Sequence, residues 1–505
     1  MKHSKTTLMT VGAISLLAIS LAQAKDYGDG LSNFSEAIAL DNAQGRHDHW
    51  RAVGRMSIEQ GEQKQNCTAS LIDSRDDSAD ASGPAYILTS GHCVTRNALN
   101  FSYSVPVSGH IDFDYFVGGV ANVQRIPLKQ IVQATMRGKD LALIELDDSL
   151  QSLLDKGIEP LAFADEAPKA GTDLMIVGAP SGHEDAPGLR LSLCPFEGAH
   201  DLVESIYTAR TAQKHRCKGV APGSSGGPVL ARESNRIMGV LSTSTGGGKE
   251  ENRCQINAPC EIQDGQPAWS SESNYSSAAI GVQACFSEGR FDTSNAECVL
   301  KPALEVTLGT AYVPNPFGRI KHDEQGNIVL PTWSWQFSLD TPFYRYKTTR
   351  SASECESPHH YSDALEAKDA LINESVGPDA GMHFLCIIGV DSTTQRPAIE
   401  VMNKPVVVAM ELAAAGPTRM PELKIERSDD GGYTVEPHYS NPQLWVYSFK
   451  SGPPGEVQCD DKKGYKPEFG GVKTFSASQL PLQLCSKSYD MSKQASLPRT
   501  DLLMP

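Results

Sequence analysis

The chain has 505 residues, too many for a single hydrophobic core, and it reads as two to four domains. Its formal net charge of −16 favours solubility and argues against nucleic acid or an anionic membrane surface as partner. All twelve cysteines lie beyond residue 24, an even count that in an exported chain reads as disulfides rather than metal ligands.

Residues 1–24 read as a secretion signal. Lys2 and Lys5 give a basic start, Leu8 to Leu21 an apolar centre, and Ala22-Gln23-Ala24 a cleavage site of small residues. Removal after Ala24 takes two lysines away and leaves a still more acidic chain, expected to be secreted or periplasmic. The apolar centre is short for a bilayer span, and no later stretch approaches the length needed. Residues 25–47 are polar and irregular, with Gly28, Gly30 and Gly45, and read as a short propeptide or a mobile arm. Within them, His47-Asp48-His49 reads as an exposed polar turn rather than a metal site.

Strand patterns begin after Trp50, with Val53-Gly54-Arg55-Met56 and Ser70-Leu71-Ile72. Asp73 to Gly83, rich in aspartate, serine and alanine, reads as a solvated hairpin loop. Phe113 to Val117 and Gln130-Ile131-Val132 are further strand candidates, as are Leu191 to Cys194 and Val203 to Tyr207.

Three segments carry chemistry. Tyr86 to Cys93 is a strand-like run ending in His92-Cys93. Lys139 to Leu146 places Asp140 at the mouth of an alternating apolar run. Pro222 to Val229 holds Ser225 among Gly223, Gly226 and Gly227, just ahead of Val229-Leu230. A hydroxyl is a poor nucleophile until a base takes its proton, and the base works best when a buried carboxylate fixes its tautomer. Glycines leave the approach to the hydroxyl open and allow backbone angles that turn amide N–H groups toward a developing oxyanion. His92, Asp140 and Ser225 are therefore the candidate catalytic residues, with the Gly223 and Ser225 amides as oxyanion hole. A plain Gly/Ser/Pro turn fits the composition of the serine stretch taken alone.

These segments resemble the chymotrypsin/trypsin-type serine peptidases. Thr89 to Cys93 resembles that family's T-A-A-H-C, Asp140 to Leu143 its D-I-A-L, and Gly223 to Pro228 its G-D-S-G-G-P. Cys67 to Ile72 and Ile176 to Pro180 are further matches, and the resemblance covers roughly residues 48 to 285. It implies two packed antiparallel barrels, the second starting near Pro160, with the active site in the groove between them. It also implies a disulfide from Cys67 to Cys93. Arg236 to Ser244 resembles the strand lining the substrate cleft, so Ser242, Thr243 and Ser244 would bind an extended peptide by strand addition. Gly246-Gly247-Gly248 and Lys249-Glu250-Glu251 follow as a loose loop. Ile280 to Cys285 would close the domain, without a strong helical pattern.

Two departures matter. The position six before the nucleophile, where trypsin carries its base-recognising aspartate, is Gly219, and no acid lies between Lys218 and Ser225. That argues against a preference for Lys or Arg at the cleaved bond. Where the family places an aspartate to receive a new N-terminal ammonium, this chain has Ser224. Burying an ammonium without a carboxylate costs several kcal/mol. No N-terminal insertion switch is therefore expected, and the oxyanion loop should be set by ordinary hydrogen bonds, including that of the Ser224 hydroxyl.

Beyond Cys298 a repeat appears. Leu385-Cys386 to Asp391 recurs as Leu484-Cys485 to Asp490. Each copy follows an earlier cysteine, Cys355 or Cys459, and an aromatic strand, Phe343 to Tyr346 or Leu444 to Tyr447. Ile320 to Val329 and Ile425 to Val435 match around Asp/Gly turns. The repeat fits two tandem β-sandwich modules over 300–400 and 401–505, which resemble the immunoglobulin-like modules of exported bacterial proteins. It also supports disulfides Cys355–Cys386 and Cys459–Cys485. Proximity along the chain suggests Cys194–Cys217, Cys254–Cys260 and Cys285–Cys298, with zinc at Cys254/Cys260 and nearby histidines as the competing reading.

The whole is expected to be all-β: a double-barrel domain over 48–299 followed by two sandwiches. The resemblance implies a serine endopeptidase that needs no cofactor or metal and acts on protein or peptide substrates. Two other readings remain open: a silent peptidase-like scaffold, and a surface-binding or adhesive protein working through its C-terminal modules. Those modules would contact a surface, secretion machinery or substrate, or act as spacers.

Overall fold

The computed structural model describes residues 26–505 apart from 61–62, 77–79, 302–303, 310–312, 403, 439–442 and 470. The signal expected over 1–24 lies outside the described residues. The fold is all-β, with 45% strand and 7% helix. No helix among the described residues is long and apolar enough to cross a membrane.

Six strands form the first barrel: β1 (Val53–Gln60), β2 (Gln63–Ile72), β3 (Pro84–Thr89), β4 (Gly109–Phe113), β5 (Gln124–Thr135) and β6 (Leu141–Ser149). They run in the order β5-β4-β1-β2-β3-β6, and β5 pairs with β6 to close the ring. Closure removes both sheet edges and encloses Met56, Leu71, Ile87, Ile111 and Leu143.

The second barrel repeats the plan with β7 (Asp173–Gly178), β8 (Arg190–Glu204), β9 (Tyr207–His215), β10 (Pro228–Ala231), β11 (Ile237–Ser244) and β12 (Asn274–Ala278). Its order is β9-β12-β11-β10-β7-β8, closed by β8 with β9. β8 pairs with β7 along its first half and with β9 along its second. Register shifts between Phe196 and Gly198 and between His200 and Leu202 bend it around the corner.

Four expectations are corrected. The strand expected over Phe113 to Val117 stops at Phe113, because Asp114 turns to φ 57° and its carboxylate takes the Arg51 guanidinium at 2.6 Å. Val203 to Tyr207 is two strand ends and a turn, with Ser205 at φ 56° and Ile206 exposed. His47 is buried rather than exposed: Asp29 meets its Nε2 at 2.9 Å, and its ring stacks on Trp50 with centroids 5.6 Å apart. The segment before Trp50 is a docked strap, not a free arm. Ile38–Ala39 pairs with β8, Asp26 meets Arg232 at 2.7 Å, and Glu36 meets Lys218 at 2.9 Å.

At the far end of the double barrel, Gln283–Cys285 is a single 3₁₀ turn, followed by a hairpin of Phe286–Ser287 with Arg290–Phe291. Six disulfides are present: Cys67–Cys93, Cys194–Cys217, Cys254–Cys260, Cys285–Cys298, Cys355–Cys386 and Cys459–Cys485. The bonded sulfurs of Cys254 and Cys260 are not thiolates, so that pair does not hold zinc.

After residue 300 come two units, each with two sheets facing across a shared core. In the first, strands Val306–Leu308, Trp335–Leu339 and Ala370–Ile372 face a five-stranded sheet centred on Gly381–Val390. Trp333, Trp335 and Phe337 pack there against Leu385, Ile387 and Val408. Val406–Ala413 pairs with Gly381–Val390, so this sheet extends past residue 400. In the second, a three-stranded sheet and a four-stranded sheet enclose Val435, Tyr447, Phe449 and Leu484.

The first unit shares buried surface with the second barrel. Val203, Cys254 and Cys260 cluster with Ala352, Cys355, Met382, Phe384 and Cys386. Polar contacts surround the cluster: Ser351 Oγ donates to Asp201 at 2.6 Å, Arg210 meets Glu356 at 2.8 Å, and Arg253 meets Glu411 at 3.1 Å. A chain ending at Val299 uncovers this cluster and leaves Asp201 and Arg210 without these partners. It is expected to melt several degrees below the full chain in calorimetry. An unchanged Tm would show that the shared cluster contributes no stability.

Candidate active site

The site forms where the two barrels meet. His92 sits in a 3₁₀ turn, Gly91–Cys93, directly after β3, and the Cys67–Cys93 disulfide ties that turn to β2. Asp140 immediately precedes β6 and is buried. Its carboxylate accepts three hydrogen bonds: from the His92 backbone N–H at 2.7 Å, from His92 Nδ1 at 2.6 Å and from Ser242 Oγ at 2.6 Å. A carboxylate only accepts, so Nδ1 carries the proton and Nε2 of the neutral ring keeps its lone pair. The His92 side chain is partly open to solvent.

Burial pushes the Asp140 carboxyl up, but the His92 charge and the hydrogen bonds from His92 and Ser242 reverse this, and its pKa is lowered. For His92, burial works against the imidazolium. The charge and hydrogen bond of Asp140 outweigh it, with Glu204 adding to them, and the pKa rises above the ordinary imidazole value.

Ser225 is half-buried in the turn before β10. Its loop is built onto Thr68 of β2. The Thr68 N–H donates to Ser225 O at 2.7 Å, and Thr68 Oγ1 donates to Gly223 O at 2.8 Å while accepting from Ala179 N at 2.9 Å. Thr89 Oγ1 donates to Thr68 O at 2.8 Å. Two glycines are required here. Gly223 has φ +94°, and at Gly226, φ +83°, a Cβ would lie 2.0 Å from Thr89 Oγ1 and 2.2 Å from Thr68 O.

This loop turns two amides outward. Pro222 O accepts from Ser181 N at 2.7 Å, and in a trans peptide the Gly223 N–H points the opposite way. Ser224 O accepts from Gly227 N at 2.9 Å, which likewise directs the Ser225 N–H away. Neither amide donates to a protein acceptor among the described residues. Ser224 is buried, and its Oγ accepts from Ala221 N at 3.4 Å.

His92 and Ser225 thus approach the same short piece of β2 from two sides, one through Cys67 and one through Thr68. No hydrogen bond joins Ser225 Oγ to His92 Nε2 among the described residues. Nucleophile–base bonds are commonly long in empty sites and tighten when substrate is seated.

The expected substrate-binding residues separate. β10 pairs with β11 only as far as Val240, so Ser242 to Ser244 keep one backbone edge without a strand partner. Ser242 spends its hydroxyl on Asp140, and Ser244 Oγ accepts from Asn274 Nδ2 at 3.1 Å and donates to Ser273 O at 3.1 Å. Gly219, at φ +76°, faces the strap: a Cβ there would lie 2.3 Å from Ala37 Cβ. Beside Ser224 the loop encloses a small hollow lined by Arg190, Ser192, Gly219 and Val220.

Glu204, at the end of β8, was not singled out by the sequence. It accepts from Asn257 N at 2.7 Å and bonds the Thr243 side chain, and its charge reaches His92 and Asp140. It forms no ion pair among the described residues. Burial raises its pKa, and these hydrogen bonds only partly offset that.

Residues 40–263, less than half of the chain, match the family model described as Trypsin. Trypsin eta of Drosophila erecta is 26% identical over 171 residues, a match spanning 32% of this chain and 64% of that protein. Among solved structures, the Rv3671c protease of M. tuberculosis in its active form is similar at 14% identity, over 49% of this chain and 89% of that one, with TM-score 0.30. A Glu endopeptidase is similar at 14% identity, over 50% of this chain and 94% of that one, with TM-score 0.32.

Two outcomes are expected. Thr68→Val keeps the shape but strands Gly223 O and Ala179 N, at about 1–3 kcal/mol for each buried unpaired group, whereas Thr68→Ser retains most of the stability. Urea unfolding measures both. Glu204→Gln removes a negative charge that favours the imidazolium, so the His92 pKa falls. NMR titration of the His92 ring reads this directly, and an unchanged midpoint would remove Glu204 from the electrostatics of the site.

Proposed function

We propose that residues 48–299 form an exported serine endopeptidase. Ser225 attacks the peptide carbonyl, and His92 takes its proton and returns it to the leaving amine. Asp140 orients His92, and the Gly223 and Ser225 amides hold the oxyanion. The observation that carries this reading is the pair of His92 with the buried Asp140, with Nδ1 and Oδ2 2.6 Å apart, beside a loop whose two free amides face outward. The substrate is a protein or peptide segment lying along the open edge of Ser242 to Ser244. All the groups in this chemistry belong to the chain itself, and no cofactor or metal takes part. Six disulfides suit an oxidising compartment, secreted or periplasmic.

Ser225→Ala and His92→Ala are each expected to abolish peptide hydrolysis with the fold retained. Asp140→Asn should leave a residual rate about ten-thousand-fold lower, because the histidine tautomer is then wrong. An active-serine phosphonate should label the wild type and not Ser225→Ala. Absence of wild-type labelling would favour a silent scaffold or an adhesive protein acting through its tail. Because the base must be neutral and its pKa is raised, kcat/KM should fall with acid through a midpoint above the ordinary imidazole value.

We also propose that no ammonium switch arranges the oxyanion loop. The buried Arg190 lines the same packed region as Ser224 and would repel an inserted cation. The strap, held at Asp26 and Glu36, passes Gly219 as continuous chain. Active-site titration of variants starting at different points between Asp26 and Trp50 should show no dependence on a free amine. A steep requirement for one N-terminus, lost on acetylation, would overturn this.

For the tail, we read the two units as immunoglobulin-like sandwiches, supported by the parallel pairing of Phe317–Arg319 with Val406–Ala413. Their proposed role is contact with a surface, secretion machinery or substrate. With Gly219 backed by Ala37 and no acid from Val220 to Ser225, cleavage after Lys or Arg is not expected.

A further inference from the structure

Behind the Asp140 loop, where the first barrel meets the first tail unit, lies a concentration of cations that nothing balances. Arg137 is buried, and its Nε and Nη1 have no hydrogen-bond partner. Only its Nη2 is engaged, with Leu99 O and, at 3.4 Å, Asn100 Oδ1. The Nζ of Lys404 is also buried and unpartnered. Both cations converge on one aromatic ring, with Arg137 Cζ 5.2 Å and Lys404 Nζ 5.9 Å from the Phe101 centroid. Lys139 and Lys301 lie close enough for their charges to act on Lys404. Three acids are near. Glu356 is held by Arg210, and neither Glu305 nor Asp340 forms an ion pair with Arg137.

Unpaired buried cations are costly, and proteins retain them where an ion or ligand completes them. The strain is legible in the charges. Burial, reinforced by Lys301, Lys139 and Arg137, pulls Lys404 down to about 7. Burial likewise pulls Arg137 down to about 10 and lowers Lys139. In a chain with net charge −16, two buried cations at one junction with no ion pair among the described residues are not a general surface property. Lys139, Lys301 and Lys404 are partly open to solvent, which leaves the cluster reachable.

We propose that Arg137 and Lys404, which share the Phe101 ring, form a binding site for a doubly charged oxyanion, a phosphate or sulfate group, at the junction of the first barrel and the tail. Phe101 supplies the apolar wall, and the Arg137 guanidinium donates to the anion from its free Nη1. The site is separate from the groove between the barrels and does not depend on the peptidase reading.

The test is thermal unfolding of the full chain at neutral pH, titrated with potassium phosphate or sulfate against potassium chloride of equal ionic strength. The expected result is a saturable Tm rise of a few degrees with phosphate or sulfate and none with chloride. Lys404→Met should weaken the apparent affinity about tenfold, and Lys301→Met should weaken it less. Lys473→Met, in the second tail unit, should leave it unchanged. A rise that never saturates, an equal response in Lys404→Met, or no rise together with no binding to phosphatidate vesicles overturns the proposal. Flotation with phosphatidate vesicles against phosphatidylcholine vesicles identifies the source. A response to free phosphate assigns a soluble anion, and binding to phosphatidate alone assigns a phosphorylated lipid headgroup.

Discussion

The site depends on the complete satisfaction of one buried threonine. Thr68 meets the serine loop twice, through its N–H to Ser225 and its hydroxyl to Gly223, and it meets β3 and Ala179 with its remaining groups. Each of these bonds crosses from one structural element to another. In a dry interior a half-made network is costlier than none, and three of the four, to Ser225, Gly223 and Ala179, are completed only where the two barrels dock. The same residue follows Cys67, whose disulfide fixes Cys93 next to His92. The side chains proposed as base and nucleophile are therefore positioned from adjacent residues of a single strand.

A second lock lies on the opposite side of the groove. Ser242 of β11 reaches Asp140 at 2.6 Å, and Ser90 Oγ reaches Leu241 O at 2.5 Å. β11 thus touches both the carboxylate and the turn carrying His92, while its free edge continues toward Ser244. A strand that offers its backbone outward while its side chains hold the interior needs small residues. Ser242, Thr243 and Ser244 meet that requirement. Their backbone was expected to meet substrate, and the Ser242 hydroxyl meets the histidine's partner.

The sequence disclosed what is local. His92, Asp140 and Ser225 stood out because each ends or begins an apolar run, and the six disulfides follow proximity along the chain. Thr68, Glu204 and Ser242 carried no such signal. A small polar residue in a strand looks the same whether it faces water or a buried partner, and only the tertiary pairing separates the two. The misread segments have comparable causes. Ser205 and Asp114 take positive φ without being glycine, so the turns they make had no residue to announce them. His47 looked solvent-facing among polar neighbours, but its partners are Asp29 and Trp50, whose packing no periodicity reveals.

The tail reaches the cleft through one short loop. Cys254–Cys260 closes it, Cys254 O accepts from Ser205 N at 2.7 Å, and Asn257 N donates to Glu204 at 2.7 Å. One side of that loop therefore holds an acid whose charge acts on His92. Its other side, the disulfide itself, is buried against Met382, Phe384 and Cys386 of the first tail unit. A loop this short, closed covalently, cannot shift one side without moving the other. The tail unit is thus part of what fixes the electrostatic surroundings of His92, although none of its residues enters the groove. A double-barrel domain with this loop uncovered would keep its His92–Asp140 pair and lose the backing that holds Glu204 beside it.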